Sequence, residues 1–318
     1  MTTQPDVVPG ATMRAARFHA YGPAENLQIE QVPTPVPQAG QVLVRIHAAG
    51  VNPVDWKFRK GWLKDYMPIS LPAVPGYDLA GTVAALGPDV RDFQVGQAVY
   101  GRGSGTYADY AVATVASLAP VPGSLSFDQA AAIPIGAATA WSGLFDVGNL
   151  QPGQTVLVQG AAGGVGHFAV QLARWKGAHV IGTASTGNVA FVQSLGAEQV
   201  IDYTTAPFER AVSGIDLVLD TVGAATVERS WQVLKPGGIL VAVAAPVSEE
   251  TARQHGVRAG TAMGNVTSQL LARLAEMVDA GTLHVQVGQV FPLSEAAKAQ
   301  AVSESGHGRG RIVLHVAG

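Results

Sequence analysis

TVLVQGAAGGVGHFAVQLARWKGAHVIGTAS, residues 155–185, is the stretch that decides the fold. It opens on a short apolar run, Thr155–Gln159, and passes through a glycine-rich turn. An amphipathic segment over 164–176 follows, and a second apolar run at His179–Ala184 closes it. Strand, tight turn, helix and strand in that order form the setting in which a glycine-rich turn holds a dinucleotide. Gly163 would let the backbone approach a pyrophosphate, and Gly166 would let the helix pack tightly on the strand. Free amides at the start of the helix, aided by its dipole, would hold the phosphates. The candidate phosphate-binding residues are therefore Gly160, Ala161, Ala162, Gly163, Gly164, Val165 and Gly166. The match to G-x-G-x-x-G is imperfect, because Ala161 stands where the first glycine belongs. A strand-to-helix turn with no ligand is the other reading.

The second strand of such a unit ordinarily ends in an acidic residue when the cofactor is NAD. Here no acidic residue occurs from His167 through Ala197. Thr183, Ser185, Thr186 and Asn188 stand there instead, and they can donate to a 2′-phosphate without repelling it. The expectation is NADP(H) as preferred cofactor, with NAD(H) also admissible, since no Arg or Lys lies in this loop. Ser185 and Asn188 read equally well as ordinary turn residues.

Outward from this unit, strand and helix lengths alternate. A helix is expected near Val189–Leu195, strands near Gln199–Asp202 and Asp216–Asp220, a helix near Ala224–Leu234 and a strand at Ile239–Ala244. Strands rich in Val, Ile and Leu separated by helices predict a parallel sheet covered on both faces. Before Leu125 the pattern differs. Short apolar runs (Gln41–His47, Gly81–Leu86, Ala98–Tyr100, Tyr107–Val112) are broken by Pro and Gly, and they suggest a compact barrel of short strands. Residues 1–12 read as a loose tail. After 265 the pattern is mixed: a helix near Val266–Ala280, a strand near His284–Phe291, a helix near Ser294–Glu304 and a strand at Arg311–Val316.

The bulk properties remove several function classes. The 318 residues suffice for two domains. A net charge of −3, with no long run of Lys or Arg, gives no reason to bind nucleic acid. The absence of cysteine excludes disulfides, thiolate catalysis and cysteine-bearing zinc sites. The first residues, MTTQPDVVPGATMR, lack the pattern of a secretory signal. The longest uncharged stretch, between Asp128 and Asp146, is interrupted by Pro134, Gly136, Thr139 and Ser142, and reads as a buried helix rather than a membrane span. A cytoplasmic protein with no membrane and no nucleic-acid partner is expected.

A set of short motifs in fixed order adds to this. They are AAGVNPVD at 48–55, PGYDLAG at 75–81, VGQAVYG at 95–101, GTYADYAV at 105–112 and AAIPIGAATAW at 131–141. AAGGVG at 161–166, VIDY at 200–203, LKPGG at 234–238 and GRIVL at 310–314 complete it. With these the chain resembles the medium-chain dehydrogenase/reductase superfamily, in its zinc-independent quinone oxidoreductase branch, from about Met13 to Val316. The resemblance implies a Rossmann-type doubly wound parallel sheet domain plus a GroES-like β-rich catalytic domain. The catalytic domain would comprise residues 1–125 and a return segment at 266–318, with the nucleotide-binding domain over 126–265.

The resemblance also implies roles by position. Asn52 would sit beside the nicotinamide and hydrogen-bond a substrate carbonyl, although an Asn-Pro turn is its plain reading. Thr139 would contact the cofactor near the nicotinamide and Tyr203 would pack at the adenosine end. Val222, Ala244, Ala245 and Arg311 would complete the cofactor contacts. Zinc-bearing relatives carry a cysteine and a His-Glu pair where this chain has Val51-Asn52 and Gly76-Tyr77-Asp78, so no zinc is expected. Some relatives also place a basic residue in the loop after Thr183, where Gly187 and Val189 stand here.

The expected reaction is hydride transfer from NADPH to a small quinone or α,β-unsaturated carbonyl. Enoyl-thioester reduction is the alternative, and a non-catalytic NADPH-binding sensor or structural protein is the alternative of another class. Asp55 and Asp78 read as acids or, equally, as residues that cap turns or pair with Lys57 or Arg59. Trp56, Phe58, Trp62 and Tyr66 could line an apolar pocket or fill core. Relatives often dimerise through their nucleotide-binding sheets, and Ala259–Met263 is the candidate edge strand for a homodimer.

Overall fold

The computed structural model describes residues 11–316. Most of the tail expected at 1–12 lies outside the described residues, and Thr12 already belongs to a strand. The chain runs β1 (Thr12–Arg17), β2 (Gln28–Pro33), β3 (Gln41–Val51), α1 (Pro53–Arg59), β4 (Asp78–Leu86), β5 (Ala98–Arg102), β6 (Tyr110–Thr114) and β7 (Leu118–Pro120). Then come α2 (Phe127–Ala131), α3 (Pro134–Trp141) and a π-helical turn at Ser142–Val147. An alternating region follows: β8 (Thr155–Gln159), α4 (Gly166–Trp175), β9 (His179–Ala184), α5 (Val189–Ser194), β10 (Gln199–Asp202), β11 (Ile215–Asp220), α6 (Ala224–Ser230), β12 (Leu234–Ala242), α7 (Glu249–Gln254) and β13 (Arg258–Thr261). The remaining elements are α8 (Ser268–Asp279), β14 (Val287–Pro292), α9 (Ala296–Glu304) and β15 (Arg311–His315).

Two large sheets result. The alternating region makes a six-stranded parallel sheet in the order β10-β9-β8-β11-β12-β13. The order reverses between β8 and β11, and there the carboxyl ends of neighbouring strands open a crevice. Val156, Val158, Leu217, Leu219 and Val241 are buried, which is why these strands read as unbroken apolar runs.

The second sheet has seven strands, β14-β15-β3-β4-β5-β7 with β6 on β3. β15 lies antiparallel on β3, pairing Leu314 with Ala49 and Val313 with Gly50. Residues near both ends of the chain thus share one sheet. The expected compact barrel of strands is built on β3, which is long enough to pair β4, β6 and β15, and a bridge from Ser104, just after β5, to Val112 of β6 brings β5 back to the strand beside β3.

The buried helix expected between Asp128 and Asp146 is three helical pieces. Pro134 cannot donate its backbone nitrogen, so α2 stops and α3 restarts. Among the described residues no helix is long and apolar enough to cross a membrane. α8 lies where the two sheets meet: Leu271, Leu274, Met277 and Val278 share a core with α3 and α4, while Tyr100 donates its hydroxyl to the Leu271 carbonyl at 2.6 Å.

Candidate active site

The glycine-rich turn leaves β8 at Gly160, whose φ of 68° suits a residue without a Cβ. Among the described residues, the backbone N–H groups of Ala162, Gly164, Val165 and Gly166 have no acceptor. They gather at the start of α4, whose ten residues give a dipole aimed at them. Gly166 is demanded by packing, since a Cβ there would stand 2.2 Å from the Gly160 carbonyl oxygen. Gly163 differs: its Cβ would meet only that oxygen, at 3.2 Å, and otherwise open space. The geometry thus separates a packing glycine from one on the open side of the turn.

Thr183 does not reach outward. Its buried hydroxyl donates to Gln159 Oε1 at 2.7 Å and accepts from the Gly160 N–H at 3.1 Å. The expectation that Thr183 could donate to a 2′-phosphate is therefore corrected: its proton is spent bracing the turn. Ser185 and Asn188 lie just beyond β9, with the Asn188 amide donating to Ser185 Oγ at 3.1 Å. Tyr203 is half exposed, and its N–H donates to the Ala184 carbonyl at 3.2 Å, so its backbone adjoins the same loop.

The base absent from that loop in sequence comes from elsewhere. Arg309 donates through Nε to Asn188 Oδ1 and through Nη2 to the Gly187 carbonyl, both at 2.9 Å, and its guanidinium lies 4.7 Å from the centre of the Phe191 ring. The next residue ties this segment to the phosphate turn, because Gly310 N–H donates to the Ala162 carbonyl at 2.8 Å. The only sequence hint was the glycines on either side of Arg309, which allow a sharp approach.

Linked to the turn through Arg311, Asn52 is the N-cap of α1, with Pro53 at the first helical position and Asp55 at the third. This helix was not expected. The Asn-Pro turn is in fact a capping box, in which Asp55 Oδ2 accepts the Asn52 N–H at 2.8 Å. Asn52 donates its amide to Asp78 Oδ2 at 2.9 Å and accepts from Arg311 at 2.8 Å. Arg311 also pairs with Asp78 at 2.7 Å, and Asp78 Oδ1 accepts the Ile135 N–H at 2.9 Å. All three side chains are buried.

The expected pairing of Asp55 or Asp78 with Lys57 or Arg59 is corrected. Asp78 pairs with Arg311, and Asp55 accepts from the buried Tyr107 hydroxyl at 2.9 Å. Arg59 turns to Gln300 and Glu304. Burial pushes the Asp55 carboxyl up to about 7, against the pull of its two hydrogen bonds. Burial also raises Asp78, opposed mainly by Arg311. Arg311 stands close to Gly164, yet its Nη2 is committed to Asn52 and Asp78 rather than free for a ligand.

The crevice between these halves collects most of the remaining positions. Val222 follows β11 and is exposed, with its N–H held by Asp220 at 2.9 Å. Ala244 and Ala245 follow β12 and lie beside Gly223. Thr139 is buried in α3 with Gly264 packed close over its hydroxyl. Lys57 crosses from α1 to the Ala244 carbonyl at 3.4 Å. The aromatic set divides: Trp56 and Phe58 are core, while Trp62 and Tyr66 are exposed, Trp62 edge-on to Trp56 at 5.4 Å. Lys57, Arg309 and Tyr107 are the residues sequence reasoning missed.

Residues 38–123 match the alcohol dehydrogenase GroES-like domain and residues 195–314 match the zinc-binding dehydrogenase family. A solved quinone oxidoreductase from Coxiella burnetii is 36% identical with a TM-score of 0.89, covering 96% of this chain and 100% of its own. A 2-methylene-furan-3-one reductase from Solanum lycopersicum is 34% identical over 95% of this chain and 79% of its own length. A mycobacterial protein solved in complex with NADPH is 30% identical with a TM-score of 0.87, over 95% of this chain and 99% of its own. The chain belongs to the medium-chain dehydrogenase/reductase superfamily, in its quinone oxidoreductase branch. It is an NAD(P)H-dependent oxidoreductase.

Zinc, which the name of one matching family implies, does not fit these residues. The chain has no cysteine, and Asp78 is consumed by Arg311, Asn52 and Ile135. Among the described residues no group of three His, Cys, Asp or Glu side chains could hold a metal ion. A nicotinamide dinucleotide does fit: the turn leaves backbone amides unpartnered at the start of α4, as a diphosphate requires.

Proposed function

We propose that this enzyme reduces a small quinone or α,β-unsaturated carbonyl with NADPH and without zinc. The observation that carries this reading is the cradle of unpartnered amides at Ala162, Gly164, Val165 and Gly166, which lies beside the buried Asn52–Asp78–Arg311 cluster, with Arg311 packed close to Gly164. When bound, the reduced nicotinamide supplies hydride. The turn would grip the diphosphate, Thr139 and the 244–245 backbone would seat the nicotinamide, and Tyr203 would border the adenine. Asn52 keeps one amide hydrogen beyond the bond to Asp78, and that hydrogen is available to a carbonyl oxygen where negative charge develops. Arg311 acts as the clamp that orients Asn52.

NADPH is favoured over NADH by Arg309, Ser185 and Asn188, which surround the loop that meets the adenosine ribose, and by the absence of an acidic residue at the end of β9. Domain limits at 125 and 265, a cytoplasmic location and a homodimer joined through β13 belong to the same reading. Stopped-flow oxidation of NADPH with a quinone, an enone and a crotonyl thioester tests it. Faster turnover of the thioester would shift the assignment to enoyl-thioester reduction. NADPH binding without oxidation by any of the three would make the protein a sensor.

A further inference from the structure

The crevice needs a source for the proton that completes reduction, and Asn52, which is neutral and buried, cannot release one. Lys57 is the cationic side chain that reaches across. It projects from α1, five residues after Asn52, to within 3.4 Å of the Ala244 carbonyl, where β12 opens beside Gly223. Among the described residues no carboxylate pairs with it, although neighbouring Lys60 pairs with Glu304. Its stem is half-buried and its ammonium lies 5.7 Å from the centre of the Trp56 ring. A lysine that serves the surface would extend into water. This one spends its desolvation on a single long hydrogen bond that a stronger acceptor can replace.

We propose that Lys57 is the proton donor to the oxygen of the reduced carbonyl. The assignment rests on the reductase reading above. For an enone the step balances as follows. Hydride from NADPH forms a C–H bond at the β-carbon, and the C=C electrons shift to leave an enolate oxygen. The Lys57 N–H bond breaks and an O–H bond forms, giving an enol that becomes the ketone in water. The acceptor gains two electrons, NADPH is oxidised to NADP, and the neutral amine recovers its proton from water. Burial alone lowers the lysine from its usual range, which brings the ammonium nearer the acidity a general acid needs at neutral pH.

Lys57→Met keeps the length of the stem and removes the proton. NADPH affinity, read by fluorescence titration, is expected within about twofold of the native enzyme, which also shows that the variant folds. Single-turnover reduction of an enone is expected to slow about 100-fold. A second readout is independent of turnover: 4-nitrophenol, a mimic of the enolate, is titrated into the NADP-loaded proteins. The native enzyme should hold it as the coloured phenolate at a pH where Lys57→Met leaves it as the phenol. Equal enone rates in native and variant enzyme, or identical nitrophenol ionisation in both, would overturn the assignment. If no acceptor oxidises NADPH in the native enzyme, the reductase reading fails by itself, and the nitrophenol titration still decides whether Lys57 stabilises an oxyanion.

Discussion

The two walls of the crevice are built on opposite principles. The wall at Gly160–Gly166 is backbone alone, with small or apolar side chains and several N–H groups left free. The wall beside it is made of charged and polar side chains, Asn52, Asp78 and Arg311, whose hydrogen bonds are spent mostly on each other. Free donors make a binding surface, whereas mutually satisfied donors make a rigid frame. Arg311 tests the frame most severely. Arg311→Met would leave Asp78 buried with no counter-charge, at a cost of about 3–5 kcal/mol in urea unfolding. Adding Asp78→Asn should recover a large part of that loss. A double variant no better than Arg311→Met would mean that Arg311 matters for packing and not for charge.

The next largest effect separates two glycines of one turn. Gly163→Val places its side chain on the open side, so the fold should survive while NADPH affinity falls at least 100-fold, about 3 kcal/mol. Gly166→Val forces a Cβ to 2.2 Å from a carbonyl oxygen and should unfold the domain instead. Fluorescence titration beside thermal melting distinguishes the two. Unchanged NADPH binding in a folded Gly163→Val protein would remove the phosphate site from this turn.

How far the sequence could be read follows the same division. The turn is local: strand, glycines and helix lie within 31 residues, and their periods change visibly at Gly160 and Lys176. The capping box at Asn52–Asp55 is local too, and the N-P-x-D spacing was its signal, obscured because α1 is only seven residues long. The Asp78–Arg311 pair spans 233 positions, and no periodicity links a strand start to a strand 233 residues later. The pairings of β15 with β3 and of β3 with β4 join them.

Asp55 sharpens the contrast through pH. Its carboxyl is pushed up to about 7 in the fold, from a usual value near 4. The folded state therefore binds more protons than the unfolded chain between these values, so this group's contribution to stability falls as pH rises from about 4 to about 7, and levels off above. The full shift corresponds to about 4 kcal/mol, and relaxation around the charge should leave about half of it. Asp55→Asn can still accept from Tyr107 and the Asn52 N–H, but it has nothing to titrate. Its stability relative to the native protein should rise by about 2 kcal/mol between pH 4.5 and pH 8 in urea titrations. A difference that stays flat across that range would mean that Asp55 is ionised throughout.

The smallest effect lies where a side chain is lent to the backbone wall. Arg309 is 121 positions from Asn188, and a scan of the loop after β9 finds no cation there. The fold supplies one because Gly310 is pinned to Ala162 and so holds the preceding arginine over the loop. With Nε and Nη2 held by Asn188 and Gly187 and its face on Phe191, the guanidinium keeps Nη1 for a phosphate and loses little freedom on binding one. Because the site is exposed, water and salt weaken the attraction, and one charge-assisted contact there is worth about 1–1.5 kcal/mol. Arg309→Ala should therefore raise the NADPH dissociation constant about tenfold at low salt and less at high salt, with NADH affinity unchanged. Parallel fluorescence titrations at two ionic strengths measure both. Equal losses for the two cofactors would mean that Arg309 only holds the loop in shape, and cofactor preference would then have to come from Ser185 and Asn188.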